Sequence, residues 1–246
     1  MPTAPKNYQS IFRKVPKWQD LRFYQKSEVL YQMTFVFCER FLPPHGDRTV
    51  DQMIQAARSG KQNIVEGTED GKTSTEMELK LLNVARASIS ELRQDYEDFL
   101  KSRHLQVWTP ADERFQPMQE FTKVHNLLSD YESHFTHWSA EEMANTGLTL
   151  CYQIDAMMNK YMEGLEHHFV TEGGIKERMP KARTGYRQQQ DAHLQEVEQQ
   201  LAAAQQEIER LEAYSNDLKQ RALAAYYGQQ EEIKKLQERI KELEKQ

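Results

Sequence analysis

Asp47-Arg48-Thr49-Val50-Asp51-Gln52-Met53-Ile54-Gln55-Ala56-Ala57-Arg58-Ser59-Gly60-Lys61-Gln62-Asn63-Ile64-Val65-Glu66-Gly67 reads as one helix. Met53, Ile54, Ala57 and Ile64 recur at helical spacing and make its inner face. Asp47 or Thr49 is the expected N-cap, and Thr49 with Gln52 forms a capping-box pattern. Gly67 is the expected end. The centre is unusual. Ala56, Ala57, Ser59 and Gly60 are small enough to let another backbone approach closely. Arg58, Lys61, Gln62 and Asn63 stand beside them as polar groups fit for contacts with a partner.

The flanking sequence supplies more helices. Helix one is expected from Trp18 to Phe41, with Leu21, Tyr24, Leu30, Phe37 and Phe41 apolar and Pro43-Pro44-His45-Gly46 as its stop. Helix three is expected after Thr73, with Glu76 completing a capping box, and to run to about Ser102. Its stripe of Leu81, Leu82, Val84, Ala85, Ile89, Leu92, Tyr96 and Phe99 is wider than a contact between two helices needs. The helix is therefore either central or faces another subunit. Residues 103–143 are less regular, with a short peripheral helix expected from Phe121 to His137. Helix four is expected from Ala144 to Val170, through Leu148, Cys151, Ile154, Met158, Tyr161, Leu165 and Phe169. Gly173-Gly174 and Pro180 close that domain.

Beyond it, Leu194, Val197, Leu201, Ala204, Ile208, Leu211, Ser215 and Leu218 alternate three and four apart, and Ile233, Leu236, Ile240 and Leu243 resume the pattern. The join through Ala222 and Tyr226 holds an extra four-residue step that locally unwinds a supercoil. Ile at a and Leu at d in the last part favour a parallel two-stranded coil. Arg239 at g reaches Glu244 at e of a partner in that alignment, whereas Glu207 and Glu212 repel. Gly228 also permits an antiparallel hairpin, and the regular ending is compatible with an appended segment. The expected architecture is all-α, a four-helix bundle followed by a long C-terminal coiled-coil helix. Residues 1–17 are an N-terminal arm, 18–183 the bundle and 184–246 the coiled coil.

Composition agrees. The 246 residues include only 10 Gly and 8 Pro. Mean hydropathy is −0.85, low enough to require a solvated helix. The net charge of −6 argues against general charge-driven binding of nucleic acid, which needs clustered cations. Cys38 and Cys151 lie among apolar residues and read as reduced core thiols. The N-terminus has no apolar signal core, and Val29–Cys38 is too short to span a bilayer. A cytoplasmic protein without membrane contact is expected.

Candidate chemistry is sparse. Gly67-Thr68-Glu69-Asp70-Gly71-Lys72-Thr73 imitates a phosphate loop, but it is one residue short between glycines, follows a helix and carries two acids. It reads as a helix–helix turn. No Glu-x-x-His pair of the kind used by di-iron bundles occurs. Asp130, His134 and His137 share a face, and His167-His168 are adjacent, but surface histidines account for both groups. No nucleophile has local context for catalysis. The expectation is no catalytic residue, no cofactor and no metal. Arg48, Arg58, Lys61, Lys72, Lys80, Arg86 and Arg93 could line a phosphate-binding face or pair with Glu76, Glu78, Glu91 and Asp95 on the same elements.

Gln52 to Gly67 resembles the signature of the bacterial four-helix-bundle proteins that include those encoded in 23S rRNA intervening sequences. Leu81-Leu82-Asn83-Val84-Ala85-Arg86-Ala87-Ser88-Ile89-Ser90-Glu91-Leu92 resembles their next helix. Tyr24-Gln25-Lys26-Ser27-Glu28, Leu150-Cys151-Tyr152-Gln153 and Phe169-Val170-Thr171-Glu172-Gly173-Gly174 resemble the subgroup with a C-terminal suffix region. The similarity covers about residues 18–183 and implies an up-and-down bundle capable of forming a ring-like pentamer. A distant relative implied by it is the accessory variability protein of diversity-generating retroelements, which binds reverse transcriptase and nucleic acid through a basic surface. This chain departs from that relative in being acidic.

Two roles are expected. The first is a non-enzymatic, self-assembling scaffold or accessory protein, joined as a dimer through the coiled coil or as the pentamer the resemblance implies. Its seam is Leu194, Val197, Leu201, Ile208, Leu211, Leu218, Ile233, Leu236, Ile240 and Leu243. The alternative is an RNA-binding or reverse-transcriptase accessory protein that contacts RNA or a protein partner through Arg58, Lys61, Gln62, Asn63, Arg86 and Arg93.

Overall fold

The computed structural model describes residues 10–43 and 48–243. Its α-helices are α1 (Arg22–Phe41), α2 (Arg48–Asp70), α3 (Thr75–Ser102), α4 (Phe115–Val124), α5 (Ala140–Glu172) and α6 (Ile175–Leu243). Short 3-10 turns lie at Trp18–Asp20, Leu128–Asp130 and Glu132–His134. Among the described residues there is no strand. The expected stop at Pro44-His45-Gly46, the Asp47 cap, Glu244 and the first nine residues of the arm lie outside them.

The chain divides into two units, one holding α1 to α5 and ending at Ala182, the other beginning at Arg183. In the first, α1 packs on α2 and α5, and α3 packs on the same two helices. Four helices thus close around one core. Phe37 lies edge-on to Tyr96 and Phe99, with ring centroids 5.1 and 4.7 Å away. The Tyr96 hydroxyl is fully buried and lies 2.9 Å from Thr34 Oγ1, which gives it a hydrogen-bond partner inside the core.

The small residues of α2 do what their size suggests. Ala56, Ala57, Gly60 and Gly67 are buried. A Cβ on Gly60 would stand 2.7 Å from Ile89 Cδ1, and one on Gly67 would stand 3.2 Å from Leu81 Cβ. The missing side chains let α2 and α3 approach. Gly147 of α5 does the same for Tyr96, whose ring would lie 2.7 Å from an added Cβ. The wide stripe of α3 is explained by its two neighbours: Leu82, Ala85, Ile89, Leu92, Tyr96 and Phe99 are buried, while Val84 is exposed.

Several expected boundaries move. Trp18–Asp20 is a 3-10 turn and Leu21 is extended, so α1 starts at Arg22. Thr49 lies within α2 rather than capping it, and α2 continues past Gly67 to Asp70. Helix three is capped by Ser74, whose side chain accepts from Met77 N, and Glu76 instead pairs with Lys80 at 2.7 Å. Residues 121–137 are not one helix. α4 begins at Phe115 and ends at Val124, with Pro117 in its first turn, where no intrahelical N–H bond is lost. α5 starts four residues early because Ser139 and Glu142 form a capping box. Gly173, at φ 76°, ends α5. Pro180 ends nothing, since it lies inside α6, and Gly228 does not fold α6 back into a hairpin.

Two polar side chains pin irregular segments to the helices. Lys26 sits on the buried face of α1 and donates from Nζ to Thr122 O and, at 3.0 Å, to His125 O. It thus serves the carbonyls at the end of α4, where a cation is favoured by the helix dipole. Arg13 donates from its backbone N–H to Lys72 O at 3.1 Å and from Nε to Gly71 O at 3.1 Å, and its guanidinium pairs with Glu78. Tyr161 donates to the other oxygen of Glu78 at 2.8 Å. Residues expected as a free arm therefore include an anchor of the α2–α3 turn.

Candidate interaction surfaces

The cations singled out on α2 and α3 do not form one face. Lys61 turns toward α1, where it pairs with Glu28 at 3.0 Å and lies 4.3 Å above the Tyr31 ring. That partnership, with a bond from Gln32, holds the Glu28 carboxyl below its usual range despite partial burial. Asn63 donates back to Ser59 O at 2.8 Å, and Gln62 to Glu66 at 3.1 Å. Arg58 is exposed and makes no ion pair among the described residues. The structure therefore separates Arg58 from Lys61, although they are three residues apart.

Arg86 and Arg93 lie on the opposite side of the unit, in a groove of about 300 Å³ between α3 and α5. Asn83, Ser90, Cys151 and Asp155 also line it. Arg86 pairs with Asp155 at 2.8 Å, and Arg93 stacks 4.9 Å over Tyr152 while donating to Ser90 at 3.3 Å. Cys151 is 1% exposed, and burial pushes its thiol well above the usual cysteine range. It is a poor nucleophile, because the thiolate is the reactive form.

Between α2 and α3 runs a larger cleft of about 880 Å³, and its chemistry is acidic. Asp51, Glu91, Asp95 and Asp98 outnumber its one cation, Arg48. Burial, together with Asp98 and Glu91, raises the Asp95 carboxyl. This cleft lies on the two helices where a phosphate-binding face was conceivable, and its field opposes a polyanion. Lys80 is taken up by Glu76.

The irregular region 103–143 builds a pocket that hydropathy patterning missed. Trp108, Met118, Phe121, His134 and Trp138 line a cavity of about 530 Å³ together with Arg114, Glu142 and Thr146. Trp108 is fixed by a bond from its backbone N–H to Asn145 Oδ1 and from Nε1 to Glu141, both 2.8 Å. Arg114 lies 4.5 Å over its ring and bridges Asp112 and Glu141, each at 2.8 Å. His134 stacks on Trp138 at 5.0 Å. The density of aromatic residues between Trp108 and Trp138 was the available signal. Asp130, expected beside His134 and His137, instead accepts from Leu127 N at 3.0 Å. Among the described residues no group of His, Cys, Asp and Glu converges as a metal ligand set.

The seam residues of α6 form a long row of exposed apolar side chains. Leu194, Val197, Leu201, Ile208, Leu211, Leu218, Ile233, Leu236, Ile240 and Leu243 are each between 46% and 61% exposed. Soluble chains scatter exposed aliphatic residues singly; a continuous stripe marks a contact surface. No described helix is long and apolar enough to cross a membrane. No protein-family model, curated protein or solved structure matches the chain.

Proposed function

We propose that the protein is a non-enzymatic scaffold that assembles with copies of itself through α6. In this reading α1, α2, α3 and α5 form an up-and-down four-helix bundle of the bacterial kind that residues 52–67 resemble, and the coiled coil joins bundles. The observation that carries it is the stripe from Leu194 to Leu243, exposed along its whole length in the single chain. Completing the burial of a half-exposed aliphatic side chain contributes on the order of 1 kcal/mol, and ten of them repeat at coiled-coil spacing. Cys38 and Cys151, both buried among apolar side chains, read as reduced core thiols and support a reducing compartment such as the cytoplasm.

Sedimentation of the full chain at micromolar concentration tests the proposal. The expected mass is a multiple of 29.0 kDa. Replacing Ile208 and Leu211 with Glu places charges in the seam and is expected to return the chain to a single copy. A wild-type chain that sediments as a monomer would sink the proposal.

A further inference from the structure

The connection between α3 and α5 runs from Arg103 to Ser139, far longer than the roughly two to eight residues that join helices in a bundle. With the start of α5 it forms the open pocket of about 530 Å³, within the range of roughly 300–1,000 Å³ usual for small-molecule sites. The pocket lies wholly inside the unit of α1 to α5, so it is independent of α6.

Its walls are aromatic and set square to one another. Phe121 stands at 85° to Trp138, with 6.3 Å between centroids, and at 82° to His134, which is stacked on Trp138. Trp108 supplies a further wall. These walls are held by bonds within the chain. Asn145, 2% exposed, accepts from Trp108 N at 2.8 Å and donates to Gln106 O and Glu141 O, both at 2.9 Å. The hydroxyls of Thr146 and Thr149 lie 3.6 and 3.7 Å from Met118 Sδ and tie α4 to α5. A site fixed in this way needs little ordering when a ligand arrives.

The charges around the rings decide what the pocket takes. Arg114 is already committed: Nε and Nη2 donate to the two oxygens of Asp112, and Nη1 donates to Glu141. The carboxylates of Glu113 and Glu142 are not. Glu142 accepts from Ser139 N and Oγ at Oε2 alone, and its Oε1 has no hydrogen-bond partner among the described residues. The exposed Glu113 carboxylate has none there either. An anion would meet two uncompensated negative charges. A neutral ligand would cover the free oxygen of Glu142 without replacing its water, which is unfavourable. A cation is favoured by the carboxylates and by the negative faces of the rings together.

We infer that this pocket binds a small organic cation, an alkylated ammonium ion. Its apolar shell lies against Trp138 and Phe121, and its charge faces Glu113 and Glu142. Arg114 shows the same chemistry inside the chain, with its guanidinium 4.5 Å over the Trp108 ring. Alkyl groups on the nitrogen suit such walls, because they spread the charge over a surface that packs on an aromatic face. This binding role is additional to self-assembly.

Choline and its uncharged carbon isostere dimethylbutanol differ only at the quaternary centre, and they separate charge from shape. Each would be titrated into the full chain at fixed ionic strength, read by tryptophan fluorescence and by the ring-current shift of the methyl protons. The expected result is saturable binding of choline, with its methyl signal moved upfield, about tenfold tighter than the alcohol. Glu113→Gln combined with Glu142→Gln removes both charges, and Gln retains the α5 capping box. That variant is expected to lose the preference for choline while its thermal melt stays in place. Equal affinity for choline and the alcohol, choline binding unchanged in the variant, or no saturable choline binding at millimolar concentration would overturn the inference. A short peptide carrying trimethyllysine that binds more tightly than choline would overturn the free ion as occupant and assign the pocket to a protein partner. None of these outcomes alters the mass of the assembly, which tests the scaffold reading separately.

Discussion

Lys26 shows how a single side chain can be both structural glue and a pH-sensitive weakness. It stands in the apolar stripe of α1 between Phe23 and Leu30, where a lysine is expensive to desolvate. Burial, with Arg22 nearby, lowers its pKa to about 8 from 10.5. Below pH 8 the amine is charged in both folded and unfolded chains, and the burial cost is fully present. Between pH 8 and 10.5 the unfolded chain binds more protons than the folded one. Stability therefore rises with pH through that window, by roughly 3 kcal/mol for this group. Chemical denaturation of the protein and of Lys26→Met across pH 7–10.5 checks this. The stability of the native chain relative to the variant is expected to climb; a flat difference would contradict it. A lysine at a stripe position was visible in the sequence, but its partners, the carbonyls of Thr122 and His125, lie almost a hundred residues away. Arg13 escaped notice for the same reason. Local pattern carries no information about a partner supplied by the tertiary fold, whereas Ala56, Ala57 and Gly60 declared a close approach by size alone.

At the scale of elements, helix existence was legible and helix ends were not. The stripes of α2, α3, α5 and α6 were each long enough to specify a helix. Their ends depended on single capping residues, and the sequence offered several in competition. Ser74 prevailed over Thr73 for α3, and Ser139 began α5 well ahead of the first strongly apolar run. The irregular stretch 103–143 was harder because its stability comes from Trp108, Arg114 and Glu141 holding one another rather than from a repeat. Two substitutions test how the helices are held. Ser139→Ala removes the α5 capping box and is expected to cost about 1 kcal/mol in the unfolding of the bundle. Gly228 has open space around its α-carbon within α6, so Gly228→Ala is expected to stabilise that helix by about 1 kcal/mol. Thermal melts followed by circular dichroism read both, and a destabilised α6 in Gly228→Ala would mean that the glycine serves a close contact.

For the molecule as a whole, the two units derive their stability from different sources. The unit of α1 to α5 has a buried core of its own, with Phe37, Met53, Leu92, Tyr96, Met143 and Ile154 sealed from solvent. α6 beyond Arg183 buries almost nothing within the chain. Its internal ion pairs, such as Arg221 with Asp217 at 3.0 Å, are exposed pairs that contribute only about 0.5 kcal/mol each. Most helical stability in proteins comes from packing an apolar face rather than from propensity, and α6 has no such packing within the chain. If α6 gains its stability by association, mass action must couple its melting to protein concentration, whereas the bundle should melt independently of it. Heating the full chain at concentrations spanning two decades is therefore expected to resolve two losses of helix. The one assigned to α6 should move upward with concentration and vanish as a separate step in the Ile208→Glu, Leu211→Glu variant. The other should stay in place in both proteins. A single, concentration-independent transition would show that α6 is held by something other than a second copy.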